Sequence, residues 1–541
     1  MARTIILSFA FLLNVLSLTA QDVFMPAEFE KNEGILLKWN YEESLDEVVV
    51  KIASAISVDD KVWILNDPDN SITSSAIQQL LTVGGANLSN IIFISGKAEN
   101  PWIRDYGPTV GYKVTDMQYT RHFIDSQYYP TQFPLADFLP VQLASDFSFN
   151  YDAIPLNFEG ANLLLDGIGR GFVGDRILDE NPGMNSNQVI QALYTKLNLN
   201  EIIILPSVPE CGGEWGELSR LVKFIDPETV LVSQFPANVP YYQQVEKTAD
   251  SLSKTYNDVG KAFQVVRLPV APDESGEYSV NNSGEIRSYT SSILFNNKIL
   301  IPSYNNENDA IALSIYQELF PGYEVMQISA HAISAMHGSL YRMAVNIPQP
   351  KFFRIRHSKL TGMQTFEPEI WINTLVQTLD PVDSIQLYYK IHPSSSYQVV
   401  NSGGCCGGSS GLISGYYIND TISYYLQAYS GNHIQTLPVG APAATYTFWF
   451  DPFTDVNMGN AEQQISIFPN PASDYLFVRG ISSSDTEARY KLLNSNGVSM
   501  AEGSIQSGAA IRLPDNLANG LYIIKIITSG ETHISKLYLH H

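Results

Sequence analysis

Two hydrophobic periodicities alternate along the first two thirds of the chain, and only one of them continues beyond. Between residues 21 and 350, short apolar or β-branched runs bounded by turn residues recur at 61–66, 90–95, 201–205, 229–234, 263–270 and 298–302. These predict strands. Between them, apolar residues spaced by three or four predict helices over 185–199, 241–256 and 309–319. Ser44-Leu45-Asp46-Glu47 reads as a capping box opening a further helix, with the Ser hydroxyl and the Glu carboxylate exchanging bonds with each other's backbone. Strands alternating with helices in this way predict an α/β region.

Past residue 351 the helical spacing stops. Segments 351–356, 384–391, 422–429 and 446–450 read as strands, several alternating polar with apolar or aromatic residues. A stretch of this kind over 351–453 predicts an immunoglobulin-like β-sandwich. A Ser/Gly-rich loop at 402–411 joins two of its strands, and a polar linker covers 454–463. Short strands at 475–478, 490–493, 520–526 and 534–539 then predict a small β-domain over 464–541, with Asn496-Gly497 as a two-residue hairpin turn.

A chain of 541 residues exceeds what one core supports, in keeping with several domains. Formal charge is 32 − 55 = −23. A field of that sign repels phosphate backbones and argues against nucleic acid as a partner. Residues 1–20 read as a signal peptide, with Arg3 before a mostly apolar stretch and a small residue, Ala20, at its end. No later run is long enough to span a membrane. The three cysteines, Cys211, Cys405 and Cys406, are too few for a disulfide scaffold. Cys405 and Cys406 read as two loop thiols, or as one pairing with another partner.

Four motifs then carry a resemblance. Trp102-Ile103-Arg104-Asp105-Tyr106-Gly107-Pro108 matches a Trp-x-Arg-Asp-x-Gly-Pro pattern. Glu159-Gly160-Ala161-Asn162, followed by Asp166-Gly167, is similar to a Glu-Gly-Gly-Asn…Asp-Gly segment with Ala161 in place of the second glycine. Residues 26–34 look like a first strand, and 336–348 like the neighbourhood of a nucleophile. On these residues, 21–350 resembles the bacterial, Porphyromonas-type peptidylarginine deiminase and agmatine deiminase family. The resemblance implies a pseudo-fivefold α/β propeller, the pentein fold, with its site at the centre and no cofactor or catalytic metal. The last 80 or so residues resemble the C-terminal sorting domain of the type IX secretion system. The matching parts are Pro469-Asn470-Pro471, Asn494-Ser495-Asn496-Gly497, Leu517-Ala518-Asn519-Gly520-Leu521-Tyr522 and Lys536-Leu537. With the signal peptide, this implies export to the cell surface or medium, with the type IX machinery as a partner.

Deimination makes definite demands. A guanidinium is planar and cationic, so carboxylates grip its nitrogens. A thiolate attacks its central carbon. A histidine gives a proton to departing ammonia and later activates water. By resemblance, Asp105 stands at the first guanidinium-binding aspartate. Gly216-Glu217-Leu218-Ser219 stands at a Gly-His-x-Asp segment, so Glu217 replaces the acid/base histidine and Ser219 the second aspartate. Ser291 falls near an asparagine that assists the site. Gly338, after a retained His337, stands where the cysteine nucleophile belongs.

These departures predict a pseudoenzyme in which Asp105, Glu217, Ser219 and Gly338 converge in one cavity that retains a cationic or arginine-like group. Cys211, just upstream of Glu217, is expected to be a structural thiol and not a replacement nucleophile. Arg220 is expected to pair with Glu217, and His337 to be packed or hydrogen-bonded. Two other readings stand beside this one. One is a guanidine hydrolase working through replacement residues. The other is a surface-displayed binding or structural protein with the propeller as its platform.

Overall fold

The alternation of strand and helix resolves into five small sheets in the computed structural model of the protein. The structure describes residues 23–107, 109–115, 118–208, 217–257, 261–278, 286–402 and 408–450, together with strands and adjoining turns between 466 and 539. The leader at 1–20, all three cysteines and the linker at 454–463 lie outside the described residues. The chain divides into two units, Met1–Asp451 and Pro452–His541.

Each of the five sheets repeats one plan. Val222–Asp226 runs antiparallel to Thr229–Gln234, which runs parallel to Gln264–Ala271 across the helix Tyr242–Ser253. The same hairpin-then-crossover unit recurs around the helices Pro134–Phe147, Ser186–Leu197 and Asn308–Leu319. The fifth sheet joins the two ends of the ring. Ala344–Pro348 pairs antiparallel with Asn32–Lys38, which runs parallel to Lys61–Asn66 across the helix Glu43–Ile56. This is the pseudo-fivefold propeller.

The helices sit where the apolar spacing predicts, each burying one stripe against its sheet. Glu43–Ile56 buries Leu45, Val49, Ile52 and Ile56. Its start differs from the expected capping box. Glu42 is the N-cap, without a side-chain cap, and the Ser44 hydroxyl donates to Glu42 Oε1 at 3.2 Å. Tyr41, in the left-handed region at φ 59°, turns the chain early, and Asp46 rather than Glu47 reaches back, accepting from the Asn40 amide at 2.7 Å. A true capping box forms at Asn185 and Gln188 instead.

The repeat places one tight turn before the first strand of each hairpin. These turns are Ile103–Tyr106, Gly160–Asn162, Leu218–Arg220, residues 290–292 and Leu340–Met343. Ile103–Tyr106 packs on both Gly160–Asn162 and Leu340–Met343, and Gly160–Asn162 packs on Leu218–Arg220. A Cβ on Gly160 would stand 2.1 Å from the Arg104 carbonyl oxygen, so only glycine permits that approach. Residues far apart in sequence therefore meet at the ring's centre.

From 354 to 450 the chain is all β, in two sheets. Ile370–Gln377 alternates in and out, and Ile372, Leu387, Tyr424, Leu426 and Phe448 form the core between the sheets. Lys359 bonds Asp226 at 2.5 Å and Arg354 bonds Glu30 at 2.8 Å, tying this layer to the propeller. The C-terminal unit holds a three-stranded and a four-stranded sheet around Leu476, Val478, Leu492, Ile524 and Leu537. Its hairpin turn has Gly497 at φ 78°. Among the described residues no helix is long and apolar enough to cross a membrane.

Candidate functional site

Four of the tight turns deliver charged side chains to one buried cluster. Asp105 is fully buried, Glu217 is 1% exposed, and both face Arg342, which is 5% exposed. Arg342 Nε donates to Asp105 Oδ2 at 2.7 Å, and Nη2 converges on the same oxygen. Its Nη1 lies 2.7 Å from Glu217 Oε1 and donates to the His337 carbonyl at 3.1 Å. Glu159 Oε1 stands 3.9 Å from Nη2, and the Trp102 ring lies 5.3 Å from the guanidinium carbon. The planar cation is thus held by carboxylates, as a substrate guanidinium would need, but it belongs to the chain itself.

The sequence-predicted residues fall around this arginine. Ser219 donates to Glu217 Oε2 at 3.1 Å, and Ser339 to the same oxygen at 3.4 Å. Arg220 Nη2 reaches Glu217 Oε1 at 3.3 Å, the pairing expected from sequence, and also the His337 carbonyl at 2.5 Å. Glu217 therefore receives bonds from two guanidinium groups and two hydroxyls. Its carboxylate is thus committed to donors within the protein. Ser291 makes no hydrogen bond to the cluster. Its hydroxyl is buried without a partner among the described residues, while the adjacent Thr290 donates to the Ser219 carbonyl at 3.0 Å. Cys211 lies outside the described residues.

At Gly338, where the resemblance puts a nucleophile, the space for a side chain is filled. A Cβ there would come within 2.0 Å of the Trp102 ring. His337 differs from the expected packed histidine. Its side chain is exposed, and a left-handed backbone at φ 58° turns its carbonyl inward to receive both Arg220 and Arg342. Left-handed geometry is costly for a non-glycine residue, and here it supplies an acceptor to two buried cations.

The charges nearly balance. Asp105, Glu159 and Glu217 face Arg220 and Arg342, an excess of one carboxylate. Burial pushes Asp105 up to about 7, against the pull of Arg342. Burial, then the charge of Asp105, pushes Glu159 well above the usual carboxylate range. Among the described residues Glu159 has no direct hydrogen bond to a cation, whereas Asp105 takes two nitrogens of Arg342. The proton that neutralises the cluster therefore belongs on Glu159.

Arg342, Trp102 and the charge of Glu159 were not assigned roles from sequence. One signal was available. Arg342 is the lone charge in the run Leu340–Ile347, where an arginine at a buried position needs a carboxylate partner.

Comparison with known proteins agrees with the fold. A protein of Shewanella frigidimarina (strain NCIMB 400) assigned as an agmatine deiminase is 23% identical over 364 residues, covering 61% of this chain and 96% of its own. The structure of an Enterococcus faecalis agmatine deiminase superposes with a TM-score of 0.52 at 18% identity, over 61% of this chain and 96% of its own. A C. jejuni agmatine deiminase with substrate bound gives 0.51 at 18% identity, over 61% and 97%. Residues 466–540 match the secretion system C-terminal sorting domain, which marks the protein for type IX export to the cell surface or beyond. Residues 24–348 match the profile of the Porphyromonas-type peptidyl-arginine deiminases, and the chain belongs to that family.

Proposed function

We propose that this exported family member is a pseudoenzyme whose guanidinium position is held by its own Arg342. The observation that carries this reading is the seating of that side chain on Asp105 and Glu217, the carboxylates that a guest guanidinium would have to share. The arginine-like group that the sequence led us to expect in the pocket is then an internal one. Asp105 keeps a cation-binding role, and Glu217 and Ser219 serve that same arginine instead of an acid/base cycle. Gly338 offers no nucleophile, and Trp102 occupies the space a cysteine would need. In one protease, loss of a nucleophile from a catalytic unit costs on the order of 10⁶ in rate.

In this reading the propeller is a rigid platform, followed by an immunoglobulin-like layer and delivered by the sorting domain. The leader is removed near Ala20. The deciding assay incubates the mature protein with arginine peptides and with agmatine and measures ureido product. No product above the uncatalysed rate is expected. Robust turnover would refute the proposal and favour a hydrolase with replacement residues.

A further inference from the structure

Arg104, Gly160 and Tyr341 neighbour Asp105, Glu159 and Arg342 in the chain, yet they line a separate cavity of about 80 Å³. None of the four charged side chains around Arg342's guanidinium reaches it. Three other charged side chains line it: Glu28, Arg104 and Lys223. Glu28 is committed, since one oxygen takes Lys223 Nζ at 2.6 Å and the other the Leu294 amide at 2.8 Å. Arg104 donates only to neutral acceptors, the Tyr341 carbonyl at 2.8 Å and Asn346 Oδ1 at 3.1 Å. Among the described residues no carboxylate pairs with it.

Both cations also lie against one ring, with Arg104 Cζ and Lys223 Nζ each 3.8 Å from the Tyr341 centroid. Burial pushes Lys223 down to about 8, Glu28 resists, and the charge of Arg104 adds to the fall. The cavity therefore carries one positive charge more than its own residues compensate. Lys223 is buried and Arg104 half-buried at this partly open cavity, and a guest of opposite sign complements the excess charge. The remaining wall includes Leu163, Leu164 and Val345. At roughly 10–15 Å³ for each water-sized position, the space suits a guest of only a few heavy atoms.

We propose that this cavity binds a small monocarboxylate, with the carboxylate on Arg104 and a short apolar body against Leu163, Leu164 and Val345. A single negative charge matches the excess, and the mixed wall favours an organic acid over a bare inorganic ion. Nothing in this assignment depends on whether the Arg342 cluster is catalytic.

The test is calorimetric titration of the full mature chain with acetate, propionate and butyrate, in a carboxylate-free buffer at constant chloride. Acetamide and inorganic phosphate serve as controls. Saturable binding of the acids, without binding of acetamide, is expected. Arg104→Gln should weaken it at least tenfold. Thr109→Phe, which fills the cavity from its lining and leaves the Arg104 bonds alone, should abolish it. Absence of saturable binding by all three acids would overturn the proposal. So would equal binding of acetamide, saturation by phosphate alone, or unaltered binding in the Thr109→Phe protein. Should Arg104→Gln fail to fold, the amide control and Thr109→Phe decide the matter.

Discussion

Arg342 and Asp105, 237 residues apart in the chain, meet at the centre of the propeller, with two nitrogens of the guanidinium on one carboxylate oxygen. The other oxygen of Asp105 has no partner among the described residues. Such a contact holds the first and last turns of the ring together as well as filling the site.

Removing the cation should therefore unsettle the fold. Arg342→Met leaves Asp105 and Glu217 buried without their shared guanidinium, and breaking a buried pair from one side costs about 3–5 kcal/mol. Arg342→Lys should recover little of this, because an ammonium cannot serve both carboxylates with a planar fork. Urea unfolding of the three proteins measures the difference. Stabilities within 1 kcal/mol of one another would contradict it.

Restoring the missing cysteine should fail for a steric reason. Gly338→Cys drives a Cβ into Trp102, and overpacking of this kind costs about 1–3 kcal/mol. Even Gly338→Cys combined with Glu217→His and Ser219→Asp should yield no ureido product, since Arg342 still occupies the carboxylates. Turnover by that triple variant would mean that Trp102 and Arg342 move aside readily.

Much of this was legible in the chain. The strands at Glu201–Leu205, Thr229–Gln234 and Ser384–Ile391 coincide with the apolar runs, because turn residues bound each run. Short motifs put Asp105, Glu217, Ser219 and Gly338 on or beside tight turns, which is why the sequence points to them. What the sequence hid is which side chain fills the space they leave. Arg342 sits in a single helical turn, where periodicity does not reveal direction, and its partners are more than a hundred residues away. The helix start at Glu43 departs from the Ser44 capping box for a similar reason. The left-handed Tyr41 and the reach of Asp46 are tertiary choices that a Ser-x-x-Glu pattern does not encode.

Stability should fall as pH rises through the acidic range. Glu159 binds its proton more tightly folded than unfolded, so its contribution is complete below about pH 4.5 and is lost as pH rises towards its folded value. Asp105, raised in the same direction, is coupled to that proton and so gives the same sign without adding a second one. One such proton contributes a slope of at most about 1.4 kcal/mol per pH unit. Glu159→Gln, which mimics the protonated form, should flatten the curve from pH 4.5 upward and be the more stable protein at neutral pH. Parallel curves for the two proteins would place the proton elsewhere.

Export should depend on the C-terminal unit. Deleting residues 466–540 should leave the protein in the periplasm with its propeller folded, as read by cell fractionation and thermal unfolding. Unchanged surface delivery would remove the tail's role.

The central claim is that the guanidinium position is already taken, and calorimetric titration with agmatine tests it most directly. The wild-type protein should give no saturable heat. Arg342→Ala, with Asp105 and Glu217 left in place, should bind agmatine and gain thermal stability from it. Saturable binding by the wild type, no weaker than by the variant, would contradict the account.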